Sequence, residues 1–178
     1  MIETLRIANY LAPTSKFSWE VASFDGSKIT ASNGMTATIK TANDNLQPAE
    51  FVFILGSWGT EHYHNQKLTA WLRKRARAGE RICGVELGSY IVARAGLLDG
   101  KLATIHWSWL NGFKENFDRV EVEESLFTLD SKVMTCSGGL AGVDLMLRLI
   151  EELNGSSFSG EIADQMLHHP IRSATSPQ

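Results

Sequence analysis

The sequence contains few cysteines and prolines and no long apolar run. Its 178 residues include two cysteines and four prolines. So few cysteines exclude a disulfide-rich scaffold, and a chain of this length buries roughly 70% of its unfolded surface without cross-links. No apolar run approaches the roughly 20 residues that span a bilayer. Glu3, Arg6 and Asn9 interrupt the start of the chain, where a signal peptide would be apolar. We therefore expect one cytoplasmic domain with no membrane contact.

An excess of positive charge is also absent. Lys and Arg together number 17 and Asp and Glu 20, which gives a formal charge of −3 and a pI of about 5.9. A DNA-binding domain usually has a basic face and a high pI. Basic residues do cluster in 64–78, but on an acidic chain this pattern is typical of the solvated face of a helix. The composition argues against DNA binding by this chain itself.

Apolar periodicity and turn residues predict alternating strands and helices. Helices are predicted over 2–12, 64–78, 88–95, 140–153 and 158–168. Strands are predicted over 19–24, 28–31, 36–39, 51–55, 81–85, 120–123, 126–129 and 133–136. Asp25-Gly26 and Asn33-Gly34 are predicted turns, and the first is the stronger hairpin signal. The apolar run 51–55 is typical of a central parallel strand. The alternation predicts an α/β sandwich with a largely parallel sheet.

Both cysteines, Cys83 and Cys136, lie in apolar segments predicted to be strands. We expect them to be buried free thiols in a reducing compartment.

The segment Gly84-Val85-Glu86-Leu87-Gly88 links a predicted buried strand to a predicted helix. In hydrolases, G-x-nucleophile-x-G at such a junction forms a sharp turn that presents the central side chain at the carboxyl edge of the sheet. Here the central residue is Glu86, where a hydrolase has Ser or Cys. Two interpretations of the glycines remain open: a functional turn of this kind, or close packing of helix on strand.

Four stretches carry a resemblance to a known family. They are IETLRIANYL (2–11), VASFDGSKITASNG (21–34), ICGVELGSYIVARAGLLDGKLATIHW (82–107) and TCSGGLAGVDLMLRLIEE (135–152). The chain resembles the sensor domain of AraC-type transcription regulators of the GlxA-like kind. The resemblance implies a ThiJ/PfpI domain, a three-layer sandwich that is class I glutamine amidotransferase-like (flavodoxin-like), over 1–170. It also implies that 171–178 begins a linker to a helix-turn-helix domain outside this chain, and that the family's first strand is missing.

The resemblance places Glu86 where enzymatic relatives keep a cysteine, and His106 where they keep a histidine. It therefore implies no catalytic residue and no cofactor. The candidate ligand-binding residues are these two and residues of the loops around the turn. They are Glu86, His106, Trp58, Leu87, Trp107 and Gly139.

Three hypotheses follow for this site. A carboxylate with aromatic neighbours suits a cationic or zwitterionic nitrogen metabolite, because aromatic rings attract ammonium groups. Regulators resembling this chain often respond to amino acids or to betaine-like or carnitine-like amines. In the second hypothesis, the chain is a ThiJ/PfpI-type hydrolase or hydratase in which Glu86 acts as general base. In the third, it is only a dimerisation module. A homodimer is compatible with the first hypothesis as well, because regulators resembling this chain commonly form homodimers, which suits DNA half-sites related by two-fold symmetry.

Aromatic residues in the same loops have a second interpretation. Tyr90 and Trp109 are each better explained as core residues than as ligand contacts. The histidine-containing segments Glu61-His62-Tyr63-His64 and His168-His169 have poor metal-ligand spacing, so no metal site is predicted.

Overall fold

The computed structural model describes residues 1–31, 33–41, 46–130 and 132–178. The helices of this part of the chain are α1 (Ile2–Leu11), α2 (Gln66–Arg77), α3 (Gly88–Arg94), α4 (Leu110–Asn116), α5 (Ala141–Asn154) and α6 (Ser156–Gln165). Its strands are β1 (Ala22–Ser23), β2 (Lys28–Thr30), β3 (Thr36–Thr38), β4 (Lys40–Thr41), β5 (Phe51–Gly56), β6 (Arg81–Glu86), β7 (Leu102–Ala103), β8 (Glu121–Val122), β9 (Phe127–Thr128) and β10 (Val133–Cys136). Short 3-10 helices cover Thr60–His62 and Trp107–Trp109.

A four-stranded sheet lies at the centre, in the order β5-β6-β10-β9. The first three strands are parallel, and β9 runs antiparallel to β10. The register pairs Ile82 of β6 with Val52 of β5 and Val133 of β10. The carboxyl ends of β5, β6 and β10 therefore meet at one edge of the sheet.

Helices cover both faces of this sheet. On one face, buried side chains of α2, α3 and α4, including Leu72, Val92 and Phe113, pack in one cluster with Val52 and Ile82. On the other face, α5 packs against β6, β9 and β10, with α1 and α6 beyond it. The predicted three-layer α/β sandwich with a largely parallel sheet is confirmed.

Helix α2 begins and ends at the residues its sequence favours. The Asn65 side chain accepts a hydrogen bond from the Leu68 N–H at 3.1 Å, as an N-cap residue does. Gly79, with a φ of +94°, follows the helix in the left-handed region. Leu68 and Leu72 are buried, whereas Lys67 and Arg73 are exposed, so the basic cluster is a solvated helix face.

The predicted hairpin at Asp25-Gly26 is wrong. β1 pairs in parallel with β4, while the antiparallel hairpin joins β2 and β3 around Asn33-Gly34. The predicted strand 19–24 is reduced to Ala22–Ser23. A turn dipeptide fixes only a local change of direction, and the partner of a strand depends on residues far along the chain.

Two further differences concern β5 and α4. Among the described residues β5 pairs only with β6, so it lies at an edge of the sheet and not at its centre. An apolar run predicts that the faces of a strand are covered, and it does not determine how many strands flank it. The sequence reading missed α4, because seven residues that include Gly112 are too short to show helical periodicity.

The segment 171–178, called the tail below, lies against the domain. Its Ala174 carbonyl accepts the Leu126 N–H at 2.9 Å. Arg172 binds the buried carboxylate of Asp144 on α5 through two guanidinium nitrogens, at 3.0 and 2.7 Å. His168 Nε2 lies 2.8 Å from the same carboxylate. The start of a linker at residue 171 stays a prediction.

Candidate functional site

Glu86 occupies a strained turn between β6 and α3. Its φ of +53° lies in the left-handed region, which costs a residue with a side chain roughly 1–2 kcal/mol. The flanking glycines permit the turn: a Cβ at Gly88 would lie 1.9 Å from the Ile54 carbonyl oxygen, and one at Gly84 would lie 2.8 Å from the Ser89 Cα. Close packing of α3 on β5 and β6, the second interpretation of the glycine pair, is therefore observed, and a functional role of the turn stays a prediction.

The Glu86 carboxylate lies among loops that follow three parallel strands. Gly56 of β5 is paired with Glu86, and the next residue, Ser57, has its Oγ 3.3 Å from Glu86 Oε1. A Cβ at Gly138, which follows β10, would lie 2.8 Å from the Glu86 Cβ and 3.3 Å from its Oε2. Ser57 thus hydrogen-bonds the carboxylate, and the missing side chain at Gly138 leaves room for it.

His106 has its own hydrogen-bond partner. Its Nδ1 accepts the Ser108 N–H at 3.3 Å and lies 2.7 Å from Ser108 Oγ. With Nδ1 as acceptor, Nε2 carries the proton and is left as a donor. The ring is half-buried, and its centroid lies 5.5 Å from that of Trp107.

The predicted aromatic residues divide into two groups. Trp58 is 78% exposed and Trp107 is 62% exposed, which is unusual for the largest apolar side chain. Tyr90 is buried, and its ring packs edge-on against Trp109 and Phe113. Burial raises the pKa of the Tyr90 phenol. Tyr90 is therefore a core residue and Trp109 packs against it, whereas Trp58 and Trp107 are open to solvent.

Leu87 and Gly139 differ from the other predicted site residues. The Leu87 side chain is buried in the cluster that joins α2, α3 and α4 to the sheet, so it offers a ligand no exposed surface. Gly139 is exposed in the turn before α5, with a φ of +54°.

Sequence reasoning missed Arg94, which fixes the loop after β5. Its guanidinium donates to the carbonyls of Thr60 and Tyr63, at 3.1 and 2.9 Å, and to that of Glu61. It also lies over the Tyr90 ring, and burial lowers its pKa. This contact ties the loop that carries Ser57 and Trp58 to the helix that follows Glu86.

Ser57 and Gly138 were also missed, and a signal for both exists in the sequence. Each follows a predicted strand, as Glu86 does, and the carboxyl ends of parallel strands meet at one sheet edge.

Both thiols lie outside this site. Cys83 and Cys136 are free and buried, as predicted. Burial raises the pKa of Cys136 to about 11 and that of Cys83 well above its usual range. Neither thiol is therefore ionised near neutral pH.

Within the described ranges, no group of three or more His, Cys, Asp or Glu side chains is arranged to hold a metal ion. Nor does any helix among them have the length and apolar character that crossing a bilayer requires.

Comparison with known proteins identifies the family of this chain. The model of the DJ-1/PfpI family matches residues 1–152, and the chain belongs to that family. The ThiJ/PfpI domain predicted from the sequence is confirmed.

Individual relatives are transcription regulators. The chain is 34% identical to the HTH-type transcriptional regulator CdhR of Pseudomonas aeruginosa, over 96% of this chain and 51% of that protein. It is 30% identical to the HTH-type transcriptional regulator GlxA of Rhizobium meliloti, over 99% of this chain and 55% of the relative. The chain thus spans about half the length of these curated relatives. The resemblance predicted from the sequence is confirmed.

A solved structure supports the fold. An AraC family transcriptional regulator from Pseudomonas putida superposes with a TM-score of 0.85, covering 93% of this chain and 89% of that chain at 22% identity.

Proposed function

We propose that the chain is the small-molecule-sensing domain of an AraC-type transcription regulator and that it binds a cationic or zwitterionic nitrogen metabolite at Glu86. One observation carries this proposal. A half-buried carboxylate is held in a strained turn at the carboxyl edge of the sheet, where its hydrogen-bond partner is the uncharged Ser57 hydroxyl.

The charge of Glu86 supports a cationic ligand. In the described ranges no ion pair includes Glu86, although Arg and Lys side chains elsewhere pair with Glu and Asp. A ligand cation can therefore bind without displacing a protein cation.

The exposed tryptophans supply the apolar part of such a site. Trp58 adjoins Ser57, and Trp107 adjoins His106. An aromatic face attracts an ammonium group by about 0.5–2 kcal/mol. In this proposal the His106 Nε2–H donates to an acceptor of the ligand, such as the carboxylate of a zwitterion.

The regulatory role is supported by the relatives, which are HTH-type regulators about twice the length of this chain. In this proposal DNA is bound by a separate C-terminal domain and the chain forms a homodimer. In this proposal the chain is not an enzyme, because Glu86 stands where enzymatic relatives keep a cysteine and both thiols of the chain are buried.

A thermal-shift screen of the chain tests the ligand class. The panel contains amino acids, betaines, carnitine and polyamines. A ligand at about 100 times its Kd adds about 2.7 kcal/mol, which shifts the melting temperature by several degrees. We expect a hit from this panel whose shift disappears in Glu86→Gln. A hit that stabilises both proteins equally would refute the site.

The strained turn also fits one alternative, a hydrolase or hydratase of the ThiJ/PfpI type. Strained backbone is found at catalytic residues as well as at ligand-binding ones. Turnover of an amide, nitrile or isonitrile that Glu86→Ala abolishes would establish this alternative. Absence of turnover together with saturable binding would exclude it.

A further inference from the structure

The side chain of Gln178 is held in a polar notch formed by residues on either side of His106 and by Ser125. Its Nε2 donates to the carbonyls of Ile105 and Ser125, at 2.9 and 3.0 Å, and to Thr104 Oγ1 at 3.2 Å. Its Oε1 accepts the Trp107 N–H at 2.7 Å. Both polar groups of the carboxamide are therefore satisfied.

The arrangement selects a primary carboxamide. Three acceptors face one end of the side chain and one donor faces the other, which matches the NH2 and C=O groups of an amide. A carboxylate would place an oxygen against the three acceptors, and an ammonium group would leave the Trp107 N–H unpaired. The chemistry of the notch therefore excludes Glu, Lys and apolar side chains.

The notch is rigid and mostly buried. Thr104, Ile105 and Ser125 expose 1% or less of their surface. Thr104 Oγ1 also donates to the Ser125 carbonyl at 2.8 Å, and the Thr104 N–H donates to Thr135 Oγ1 at 2.7 Å. The acceptors are thus fixed by the domain and not by the tail.

Gln178 is the second of two polar anchors of the tail. The first is Arg172, which pairs with the buried Asp144 carboxylate, and between the two anchors Ala174 binds the Leu126 N–H. The tail consequently connects helix α5 to the segment that carries His106.

We propose that Thr104, Ile105, Ser125 and Trp107 form a carboxamide-binding notch in which Gln178 latches the tail and holds His106 in place. Because Gln178 Oε1 accepts the Trp107 N–H, release of Gln178 frees the backbone on the side of His106 that leads to Trp107. That His106 contacts a ligand rests on the proposed function, whereas the contact of Gln178 with the notch does not.

Hydrogen exchange in the chain without ligand tests the latch. In the described part of the chain, Gln178 Oε1 is the hydrogen-bond partner of the Trp107 N–H. We expect this amide to exchange at least roughly tenfold faster in Gln178→Met, which keeps the length of the side chain but lacks the amide, and in Gln178→Glu. Gln165→Glu, on the exposed end of α6, is the matched control and should leave the rate unchanged.

The NMR signals of the His106 ring provide a second measurement. They should shift in Gln178→Met and stay in place in Gln165→Glu. Unchanged Trp107 exchange and unchanged His106 signals in both Gln178 variants would overturn the proposal. Since neither measurement uses a ligand, failure of the latch is distinguishable from failure of the proposed sensor function.

Discussion

Ser57 Oγ lies 3.3 Å from Glu86 Oε1 and joins the loops that follow two adjacent parallel strands. The pairing of Gly56 with Glu86 brings the two side chains together. Arg94 fixes the Ser57 loop from the opposite side through backbone carbonyls of residues 60–63. Among the described residues, the Glu86 carboxylate is thus held by backbone geometry and by the neutral Ser57 hydroxyl.

The positive φ of Glu86 predicts that this residue lowers the free energy of unfolding of the chain. Glycine adopts a positive φ without steric cost, although it loses more backbone freedom on folding. We expect Glu86→Gly to raise the free energy of unfolding by up to about 1 kcal/mol while removing the ligand site. Glu86→Gln keeps the strain and is the control. Chemical denaturation measures both variants, and a Glu86→Gly chain less stable than Glu86→Gln would contradict the strain argument.

Close packing of α3 predicts a severe effect of a methyl group at Gly88. A Cβ there would lie 1.9 Å from the Ile54 carbonyl oxygen, and backbone must move to accommodate it. We expect Gly88→Ala to cost about 3 kcal/mol or more.

Gly160, within α6, is the matched control because a Cβ there meets nothing within 4 Å. Gly160→Ala should stabilise the chain by about 0.5–1 kcal/mol through helix propensity. Equal denaturation midpoints for the two variants would show that α3 does not pack closely against the Ile54 carbonyl of β5.

The buried Asp144 carboxylate predicts that Arg172 contributes more to stability than a surface arginine. Asp144 is fully buried, and Arg172→Ala removes two of its hydrogen bonds while leaving those from His168 and the residue 172 N–H. We expect a loss of about 2–3 kcal/mol, near the lower end for a broken buried pair.

The control is Arg119→Ala, which removes the exposed pair with Asp99 and should cost under about 1 kcal/mol. Urea unfolding compares the two variants. A loss for Arg172→Ala no larger than that for Arg119→Ala would show that the tail is not anchored at Asp144.

Burial of the thiols predicts slow labelling of the folded chain. With the pKa of Cys136 raised to about 11, roughly one thiol in a thousand is ionised at pH 8. A thiol-specific disulfide reagent should label two cysteines quickly in urea and neither quickly in buffer. Rapid native labelling at pH 8 would contradict the burial of the thiols.

The same pKa shift has a consequence for stability. The unfolded chain loses the Cys136 proton near the usual pKa of 9 and the folded chain only near 11. Unfolding therefore releases a proton between these values, and the contribution of this group to stability falls as pH rises through that window.

The sequence predicted the part of the site that depends on local geometry. The glycines at 84 and 88 indicated the sharp turn, and Glu86 adopts a strained backbone there. Trp58 and Trp107 are exposed and Tyr90 is buried. Strand pairing was less predictable, since β1 pairs with β4 and not across the Asp25-Gly26 turn.

The notch for Gln178 could not be predicted from the sequence. Its acceptors are backbone carbonyls and a threonine hydroxyl that come together only when two distant segments pack. Backbone carbonyls carry no residue-specific signal. Leu87 adjoins Glu86 in the sequence, but its side chain is buried in the core.

The most direct test of the account is calorimetric titration of the strongest hit from the thermal-shift panel. The hit is compared with an analogue in which a carbon atom replaces the charged nitrogen. Both compounds are titrated into the wild-type chain, into Glu86→Gln and into the exposed control Glu161→Gln. If Glu86 binds the cation, the wild type and Glu161→Gln bind it at least about tenfold more tightly than the neutral analogue, and Glu86→Gln loses this preference. Equal preference in all three proteins would contradict a ligand site at Glu86.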